Sequence, residues 1–430
     1  MKKVFLSVGL FVMVCVNAQM PSNNLPRFIR WVDNDQILVS TKLNKETTAK
    51  EYLYNLKTKQ YTAAPTAALP ATEKTVVVKN ANIYLKENGT ETQLTFDAAE
   101  EKNPTLSPDG QYVGYTKNNN LYTVSIADKK EIAITSENTK GILNGYASWV
   151  YFEEIFGRPT QYRAFWWSPD SKYISFMRFD ERQVPMFPIY VSEGQHGYIE
   201  ETRYPKAGDP NPTVKIGWTS PTGGAITWAD FNEQEDQYFG WPIWNPNNNT
   251  MWMSWMDRGQ NNLKIYELDM ATGAKKEVYK EYQKTWIDLE DRVSGRINFL
   301  SNNKGYIAQS DATGWNQLYL YDMNGNLINP ITDGKYTVTS IKLIEEKTKT
   351  IYFTARGIEN TARADFYSIG FDGKNLKRLS KGNFNYSLVN LSPDAKHFVG
   401  LYSNANTPTA LSIFDIPKKG EPAVETIGTA

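Results

Sequence analysis

The sequence predicts an all-β protein, an eight-bladed β-propeller of four-stranded antiparallel blades with a short helical insertion near residues 147–157. Three observations support this fold class. A unit of one turn and two strands repeats along the chain. The aromatic content is high, with 26 Tyr, 19 Phe and 12 Trp, and aromatic side chains favour strands. Long helices are absent from the pattern of apolar residues.

The clearest copy of the repeat begins with a turn at Asn103–Gly110 and continues into a strand at Gln111–Tyr115. A second strand follows at Leu121–Ile126, where alternate side chains from Tyr122 onward are apolar, as expected of a strand. In the turn, proline fixes φ and Asp-Gly supplies the positive φ of a tight reversal. The turn recurs at Trp167–Asp170, Trp244–Asn247 and Leu391–Asp394, and looser copies of the unit begin near Trp31, Lys74, Phe299 and Ile341.

These copies make about eight units, most of them roughly 40 to 60 residues long, which is the spacing of propeller blades. One four-stranded blade cannot bury both of its faces alone. Radial stacking buries them and leaves only short edges. Two separate β-sandwiches are the alternative. The repeat does not pause at a linker, and this continuity favours the propeller.

The repeat is interrupted in two places. Between Ile142 and Arg163 the turn-strand rhythm stops, and Trp149–Phe156 has the pattern of a short helical insertion. Residues 181–240 form a second, irregular stretch that is rich in proline and glycine. Insertions in a repeat protein usually lie on one face, often the binding face. Both stretches are therefore candidates for binding.

The N-terminus has the pattern of a secretory signal peptide. Lys2 and Lys3 precede an apolar run at Val4–Val16, which is too short to span a bilayer as a helix. Small or tolerated residues follow up to Ala18, where cleavage is expected. A buried N-terminal strand or an uncleaved anchor is the less favoured alternative. We therefore expect a signal peptide at 1–18, export, and a periplasmic or extracellular location.

The composition excludes several classes of function. Cys15 is the only cysteine, so the mature protein is expected to have no disulfide, thiol chemistry or thiolate metal site. Val14 is too bulky for a lipoprotein cleavage site. Lys and Arg number 47, as do Asp and Glu, which gives no indication of a nucleic-acid partner. Histidines at metal-ligand spacing and phosphate-binding glycine loops are absent, so neither a metal nor a cofactor is predicted.

A histidine-based catalytic triad is not expected in this chain. His196 and His397 are the only histidines, and the first lies in the irregular stretch while the second lies in a predicted blade strand. A Gly-x-Ser-x-Gly nucleophile elbow does not occur. Nucleophilic hydrolysis needs a nucleophile, a base and an orienting acid, so no catalytic residue is assigned.

Glu153 and Glu154 are the most informative acidic pair. They lie within the helical insertion and are flanked by aromatic residues. Two adjacent carboxylates held by packing and facing a cavity would bind a cation, such as the free α-ammonium of a peptide, through charge-assisted hydrogen bonds. The alternative is two solvated glutamates on a short surface helix. The residues alone favour this alternative, because exposed glutamate is the usual case.

A second acidic cluster follows in the irregular stretch. It comprises Asp230, Glu233, Glu235 and Asp236. These carboxylates could bind Ca²⁺, but they lack the Asp-x-Asn-x-Asp-Gly loop geometry. A solvated loop, or one paired with arginine, is the favoured interpretation.

The insertion and its surroundings resemble a known family. Asn144–Phe156 resembles the double-glutamate motif of the dipeptidyl peptidase IV family, the prolyl oligopeptidase-type serine peptidases. The resemblance runs from about residue 28 to about residue 417. Further matching segments follow in order at Ala164–Asp170, Arg203–Gly208, Asn211–Lys215 and Gly314–Asp322.

The resemblance implies a two-part architecture. An N-terminal eight-bladed propeller precedes an α/β-hydrolase domain that holds a Ser-Asp-His triad, and the substrate enters a cavity between them. It also implies that Glu153 and Glu154 bind the N-terminal ammonium of the substrate. Members of the family use a propeller arginine to hold a substrate carbonyl, and Arg158, Arg292 and Arg296 are the candidates here.

These implications lead to a functional hypothesis for residues 19–430. They are expected to form the propeller portion of an exported dipeptidyl peptidase IV-like serine exopeptidase, with the hydrolase domain absent from this chain and no activity of the chain alone. The propeller would bind the peptide N-terminus and gate access to the catalytic domain. The expected partners are a peptide with a free N-terminus, the α/β-hydrolase domain of the full-length enzyme, and a second copy in a homodimer. A stand-alone peptide- or protein-binding propeller and a remnant without function are the alternatives.

Overall fold

A computed structural model describes residues 25–43, 46–64, 74–287, 296–416 and 423–430. The expected signal peptide and Arg292 lie outside these ranges. The described residues form an all-β fold of antiparallel sheets with only short helical turns, so the predicted fold class is confirmed at this level. The eight-bladed arrangement stays a prediction. No helix among the described residues combines the length and apolarity needed to cross a membrane.

The chain divides into two compact units. The first comprises residues 1–65 and 379–430. Its described part contains two four-stranded sheets, and in each the strands lie side by side in chain order. One sheet contains β1 (Arg27–Trp31), β2 (Gln36–Thr41), β3 (Lys50–Asn55) and β4 (Gln60–Ala63). The other contains β31 (Asn385–Leu391), β32 (His397–Asn404), β33 (Thr407–Asp415) and β34 (Val424–Thr429). Ile37 and Val39 of one sheet and Val399 and Leu411 of the other share one buried cluster.

The second unit comprises residues 66–378. It begins with a three-stranded sheet and a four-stranded sheet, each ordered along the chain. The strands are β5 (Thr75–Lys79), β6 (Asn82–Glu87) and β7 (Thr90–Gln93), then β8 (Glu101–Leu106), β9 (Tyr112–Lys117), β10 (Asn120–Ser125) and β11 (Glu131–Ala133). Ile83, Leu85, Val113 and Val124 pack together in one buried cluster.

A five-stranded sheet and a separate hairpin follow in this unit. The sheet contains β12 (Ile142–Asn144), β13 (Phe165–Trp167), β14 (Ile174–Asp180), β17 (Thr213–Thr219) and β18 (Thr227–Trp228). The hairpin consists of β15 (Met186–Val191) and β16 (Tyr198–Arg203). Much of the stretch 181–240 is therefore regular, contrary to the irregular loop expected from its prolines and glycines. Pro188 lies inside β15, the strand of a two-stranded hairpin, where a missing N–H is tolerated at an edge.

Three four-stranded sheets complete the second unit. Each is ordered along the chain. The first contains β19 (Gln237–Trp244), β20 (Met251–Asp257), β21 (Asn262–Leu268) and β22 (Lys275–Tyr282). The second contains β23 (Ile297–Phe299), β24 (Tyr306–Ser310), β25 (Gln317–Tyr321) and β26 (Leu327–Pro330). The third contains β27 (Thr337–Glu345), β28 (Thr350–Arg356), β29 (Ala364–Gly370) and β30 (Lys377–Arg378).

The repeated Ser-Pro-Asp turn has the same hydrogen bonds in three copies. The serine hydroxyl donates to the aspartate two residues later, at 2.6 Å in Ser107, 2.7 Å in Ser168 and 2.8 Å in Ser392. Each serine Oγ also accepts the backbone N–H five residues later, where the next strand begins or is about to begin. A side chain that satisfies turn donors in this way fixes the reversal locally. The predicted repeat is therefore present as a repeated turn.

Candidate functional site

The two glutamates lie on an excursion from one edge of the five-stranded sheet. β12 and β13 pair with opposite ends of the same strand, β14. Between them the chain leaves the sheet after Gly145 and returns at Ala164. Two backbone hydrogen bonds hold the chain where it leaves and re-enters the sheet. Gly145 N donates to Met177 O at 2.9 Å, and Ala164 N donates to Gly145 O at 2.9 Å. We call residues 146–163 the glutamate insertion.

Gly145 makes this departure possible. Its φ is +69°, in the left-handed region that disfavours side chains. A Cβ at this position would also lie 3.2 Å from the Leu121 side chain. Both the backbone turn and the close approach therefore require glycine where the insertion leaves the sheet.

The predicted helical insertion is present as a π-helical turn at Tyr151–Ile155. Phe156 N donates to Tyr151 O at 2.7 Å, which is the wider i to i+5 closure of a π turn. Tyr151, Ile155 and Phe156 are buried in the cluster that includes Phe179 and Phe239. This packing turns the apolar side of the turn inward, leaves Glu154 exposed and leaves Glu153 partly buried.

Tyr151 connects the π-helical turn to β19 by a hydrogen bond. Its side chain is fully buried, and its hydroxyl oxygen accepts the backbone N–H of Phe239 at 3.1 Å. Burial raises the pKa of the Tyr151 phenol well above its ordinary range, so the phenol stays neutral. The position of the turn is thus determined by packing against β19.

Three aromatic rings stack along the insertion. Phe152 and Tyr162 are nearly parallel with ring centroids 3.8 Å apart, and Tyr162 stacks on Tyr146 with centroids 5.0 Å apart. A backbone hydrogen bond from Ala147 N to Tyr162 O at 2.7 Å joins the outgoing and returning segments. The insertion is therefore held by its own side chains, and the glutamates project from a supported segment.

Glu153 is half-buried and already has one cationic partner. Its side chain is 22% exposed, and its Oε1 accepts from Arg158 Nε at 3.0 Å and from Arg158 Nη2 at 2.5 Å. Its Oε2 is buried and accepts no hydrogen bond from any described residue. A buried carboxylate oxygen without a protein donor is unusual in a folded protein, so Oε2 is the oxygen of Glu153 that can accept a hydrogen bond from a ligand.

Glu154 has a different environment from its neighbour. It is exposed, and its carboxylate forms no ion pair or hydrogen bond within the described part of the chain. Successive residues of a helical turn point in different directions. The structure therefore places the two carboxylates side by side along the backbone but in unlike surroundings, and their joint role in cation binding stays a prediction.

The structure describes two of the three candidate arginines. Arg158 lies in a 3₁₀ turn at Arg158–Thr160 and is 72% exposed, and the hydrogen bonds that it donates to Glu153 raise its pKa. Arg296 lies immediately before β23. Arg292 lies outside the described residues. Of the two described candidates, Arg158 is the one that contacts a glutamate of the motif.

A cavity of about 830 Å³ opens beside the insertion. Its lining includes the loop after the π turn, the strand β5 and the start of β8. Arg163, on the returning segment of the insertion, faces this cavity. In the sequence Arg163 marks the end of the interrupted stretch, and it is not among the predicted site residues. The feature that could have indicated it is a charged residue directly before the buried run Ala164-Phe165.

The two histidines occupy unrelated positions. His196 is exposed in the turn between β15 and β16 of the second unit. His397 begins β32 of the first unit, as its sequence pattern predicted, and its Nδ1 lies 2.8 Å from Asp415 Oδ1. The two histidines belong to different units of the chain.

Three of the four carboxylates in the acidic cluster before β19 are paired with basic side chains. Asp236 contacts Arg258 at 3.0 Å, Glu233 contacts Lys215 at 3.7 Å and Asp230 contacts Lys275 at 4.0 Å. This agrees with the favoured interpretation of a loop with paired charges. Within the described ranges, no three His, Cys, Asp or Glu side chains lie together in an arrangement that could hold a metal ion.

Comparison with known proteins gives consistent similarities. The sequence model of the "Dipeptidyl peptidase IV (DPP IV) N-terminal region" matches residues 98–409. Dipeptidyl peptidase 4 of Arthroderma otae is 29% identical over 383 residues, which cover 84% of this chain and 48% of that protein. Dipeptidyl peptidase 4 of Trichophyton rubrum is 30% identical over 317 residues, which cover 70% of this chain and 40% of that protein.

A solved structure has a similar fold. The crystal structure of Porphyromonas gingivalis dipeptidyl peptidase 4 superposes with a TM-score of 0.70 over 94% of this chain and 59% of that one, at 21% identity. The chain spans less than half the length of the two curated relatives it matches. The similarity thus concerns one region of longer proteins.

Proposed function

The chain belongs to the dipeptidyl peptidase IV family, over its N-terminal region, and from this premise we propose that it binds the free N-terminus of a peptide substrate for a serine exopeptidase. In this proposal Glu153 and Glu154 receive the α-ammonium group. The peptide bond is cut by an α/β-hydrolase domain of the full-length enzyme, and the present region recognises the substrate and gates its access.

The observation that carries the proposal is the unsatisfied oxygen of Glu153. Oε2 is buried without a donor among the described residues, while Arg158 occupies only Oε1. Leaving a buried acceptor without a partner is unfavourable. An ammonium group carries three N–H donors and a positive charge, and it would satisfy this oxygen with a strong charge-assisted hydrogen bond.

The charges around the turn agree with a single cationic ligand. Two carboxylates and one guanidinium leave one formal negative charge on Glu153, Glu154 and Arg158. Glu154 is exposed and accessible to a ligand from solvent. A peptide ammonium would neutralise this charge, whereas an acetylated N-terminus would not. Recognition of a free N-terminus at a fixed site would explain why an exopeptidase removes a short, defined unit.

The wider architecture forms part of the proposal. Across both units, the described residues form eight sheets of three to five strands in addition to the β15–β16 hairpin. We propose that these eight sheets are the blades of a propeller. Export through a signal peptide at 1–18, with a periplasmic or extracellular location, and assembly into a homodimer also stay proposals. The N-terminal sequence pattern supports export and the location, and the family resemblance supports the homodimer.

The direct test is peptide binding by the purified chain. Isothermal titration calorimetry with Ala-Pro peptides should show binding when the N-terminus is free and at least about tenfold weaker binding when it is acetylated. Glu153→Gln with Glu154→Gln should remove this difference, because the amide side chains keep the shape and lose the charge.

A matched control is Glu277→Gln, which changes a glutamate of β22 that pairs with Lys264 at 3.4 Å on the surface of the same unit. This variant should retain the preference for a free N-terminus. A second assay fuses the chain to a hydrolase domain from a family member and measures cleavage of an Xaa-Pro chromogenic substrate. Unchanged turnover in the double glutamine variant of the fusion would refute the role of the pair.

A further inference from the structure

Arg163 presents an uncompensated positive charge to the cavity beside the glutamate insertion. It lies on the returning segment, paired with Tyr146 in an isolated β-bridge, and it is among the residues that line the cavity of about 830 Å³. Its Nη1 donates to Thr105 Oγ1 at 3.2 Å. Among the described residues, no carboxylate lies within 4.0 Å of its guanidinium.

The other cation of this wall is already paired. Lys102 forms an ion pair with Glu100 at 3.2 Å, and both residues also line the cavity. The Glu101 carboxylate is buried, where it accepts the Ile83 N–H at 3.2 Å and lies 4.0 Å from Lys117. Among these lining residues, Arg163 is therefore the cation without a carboxylate beside it.

Arg163 is partly buried, and partial burial makes a positive charge without a nearby carboxylate unfavourable. Removing the guanidinium from water lowers its pKa, and no nearby acid counteracts this effect. An arginine still remains protonated in a protein at neutral pH. A buried charge without a partner is destabilising, and an anion that entered the cavity would relieve the desolvation of Arg163.

The remaining wall of the cavity combines apolar and polar side chains. Val76, Val78, Pro104, Phe156 and Trp241 form its apolar part, and Asn103, Thr105, Thr160 and Gln161 contribute neutral polar groups. A cavity with an apolar part and one unpaired charge favours a ligand with an apolar body and one opposite charge. Because a single guanidinium is available, a monoanion fits better than a doubly charged group such as a phosphate.

We propose that this cavity binds a carboxylate group on an apolar body, and that Arg163 holds the carboxylate through charge-assisted hydrogen bonds. The carboxylate has two potential sources. One is an acidic side chain of the peptide whose N-terminus binds at Glu153 and Glu154; this case rests on the proposed function and makes Arg163 a specificity-determining residue. The other source is a free organic acid.

Two ligand series distinguish these sources by calorimetry with the purified chain. The first consists of Ala-Pro pentapeptide amides with Glu or Gln at the third, fourth or fifth position. The second compares hexanoate with hexanamide. We expect the carboxylate member of at least one series to bind about tenfold or more tightly than its neutral counterpart.

Variants connect this preference to Arg163. Arg163→Gln should bring the carboxylate-to-amide ratio to about one, and Arg163→Lys, which keeps the charge and loses the planar guanidinium, should retain part of it. The control is Arg182→Gln, an exposed arginine that pairs with Asp180 at 2.6 Å, and it should leave the ratio unchanged. If Arg163→Gln fails to fold, the lysine variant provides the comparison.

The outcomes separate the inference from the proposed function. A preference for the Glu peptide that Arg163→Gln abolishes supports an acidic side chain as ligand. A preference for hexanoate alone supports a free acid, and it would stand even if peptides with free N-termini do not bind at all. Equal binding of both members in both series would overturn the inference, and so would a preference that persists in Arg163→Gln.

Discussion

Arg158 binds a single oxygen of Glu153 with two nitrogens, Nε at 3.0 Å and Nη2 at 2.5 Å. The other oxygen, Oε2, is buried and has no donor among the described residues. Arg158 is five positions after Glu153, beyond the π-helical turn, so the pair is built within the insertion itself. The arginine neutralises Glu153 in part and orients its carboxylate, while the unpaired oxygen stays available.

Arg158→Gln should change ligand binding with little change in stability. The guanidinium is largely exposed, and an ion pair whose cation is exposed contributes little to folding because water and salt screen it. Without Arg158 the site carries one more negative charge, so binding of a free peptide N-terminus should become more sensitive to salt.

Calorimetry at low and high ionic strength measures this salt dependence, and urea denaturation should give a nearly unchanged midpoint. A large fall in the midpoint would contradict the screening expected from the exposed position of the Arg158 guanidinium.

Tyr151→Phe should destabilise the second unit. The variant retains the buried ring and removes the hydroxyl oxygen that accepts the Phe239 N–H at 3.1 Å. The amide would then be buried without a partner, at a cost of about 1–3 kcal/mol. Urea denaturation measures this loss. The control is Tyr190→Phe on the β15–β16 hairpin, where the side chain is exposed, and it should leave the unfolding free energy unchanged. Equal effects of the two variants would refute the structural role of the Tyr151 hydroxyl.

Lys117→Met should be destabilising because Lys117 is a buried cation shared by three carboxylates. Its side chain is 5% exposed and contacts the partly exposed Asp97 and Glu131, each at 2.8 Å, with the buried Glu101 at 4.0 Å. Burial alone would lower the pKa of Lys117, but the hydrogen bonds that it donates to Asp97 and Glu131 raise it. Removing the cation leaves the three carboxylates without compensation, and because water screens two of them, a loss of about 1–3 kcal/mol is expected.

Thermal or urea denaturation of the lysine variant provides the measurement. Lys172→Met is the matched control, because Lys172 is exposed and pairs with Asp170 at 3.1 Å on the surface. The control should show no measurable change. A stability of Lys117→Met close to that of the unaltered chain would indicate that the cluster tolerates its own negative charge, contrary to this expectation.

Glu181 should make the folding stability fall as the pH rises. Burial raises the pKa of its carboxyl from 4.5 to about 7, against the opposing effect of Arg203 and with the support of Asp180. Between these two pH values the folded protein retains a proton that the unfolded chain has released. Folding stability therefore falls as the pH rises through this window, by on the order of 3 kcal/mol.

The Glu181→Gln variant should lack this contribution. Its unfolding free energy should fall less than that of the unaltered chain between pH 4.5 and pH 7, and it should be the more stable of the two above this window. Urea denaturation across the pH series provides the test, with Glu277→Gln as a surface control. Parallel pH profiles for Glu181→Gln and the unaltered chain would show that Glu181 titrates normally.

Much of the local structure could be predicted from sequence. The Ser-Pro-Asp turns are determined locally, because the serine hydroxyl and the aspartate satisfy donors within five residues. The helical insertion could also be predicted, since it interrupts a regular repeat. The regular structure in residues 181–240 was missed because proline and glycine content indicates loops, whereas edge strands such as β15 tolerate proline.

The sequence by itself determined the strand repeat, the location of the insertion and the family motif that contains Glu153 and Glu154. Tertiary structure decided what these side chains can do. The burial of Glu153 Oε2 depends on packing of the π-helical turn against β19. The guanidinium of Arg163 is held by Thr105, which is 58 residues away. Desolvation and charge pairing arise from groups that are distant along the chain, and so only the folded arrangement distinguishes a solvated glutamate from a candidate ammonium site.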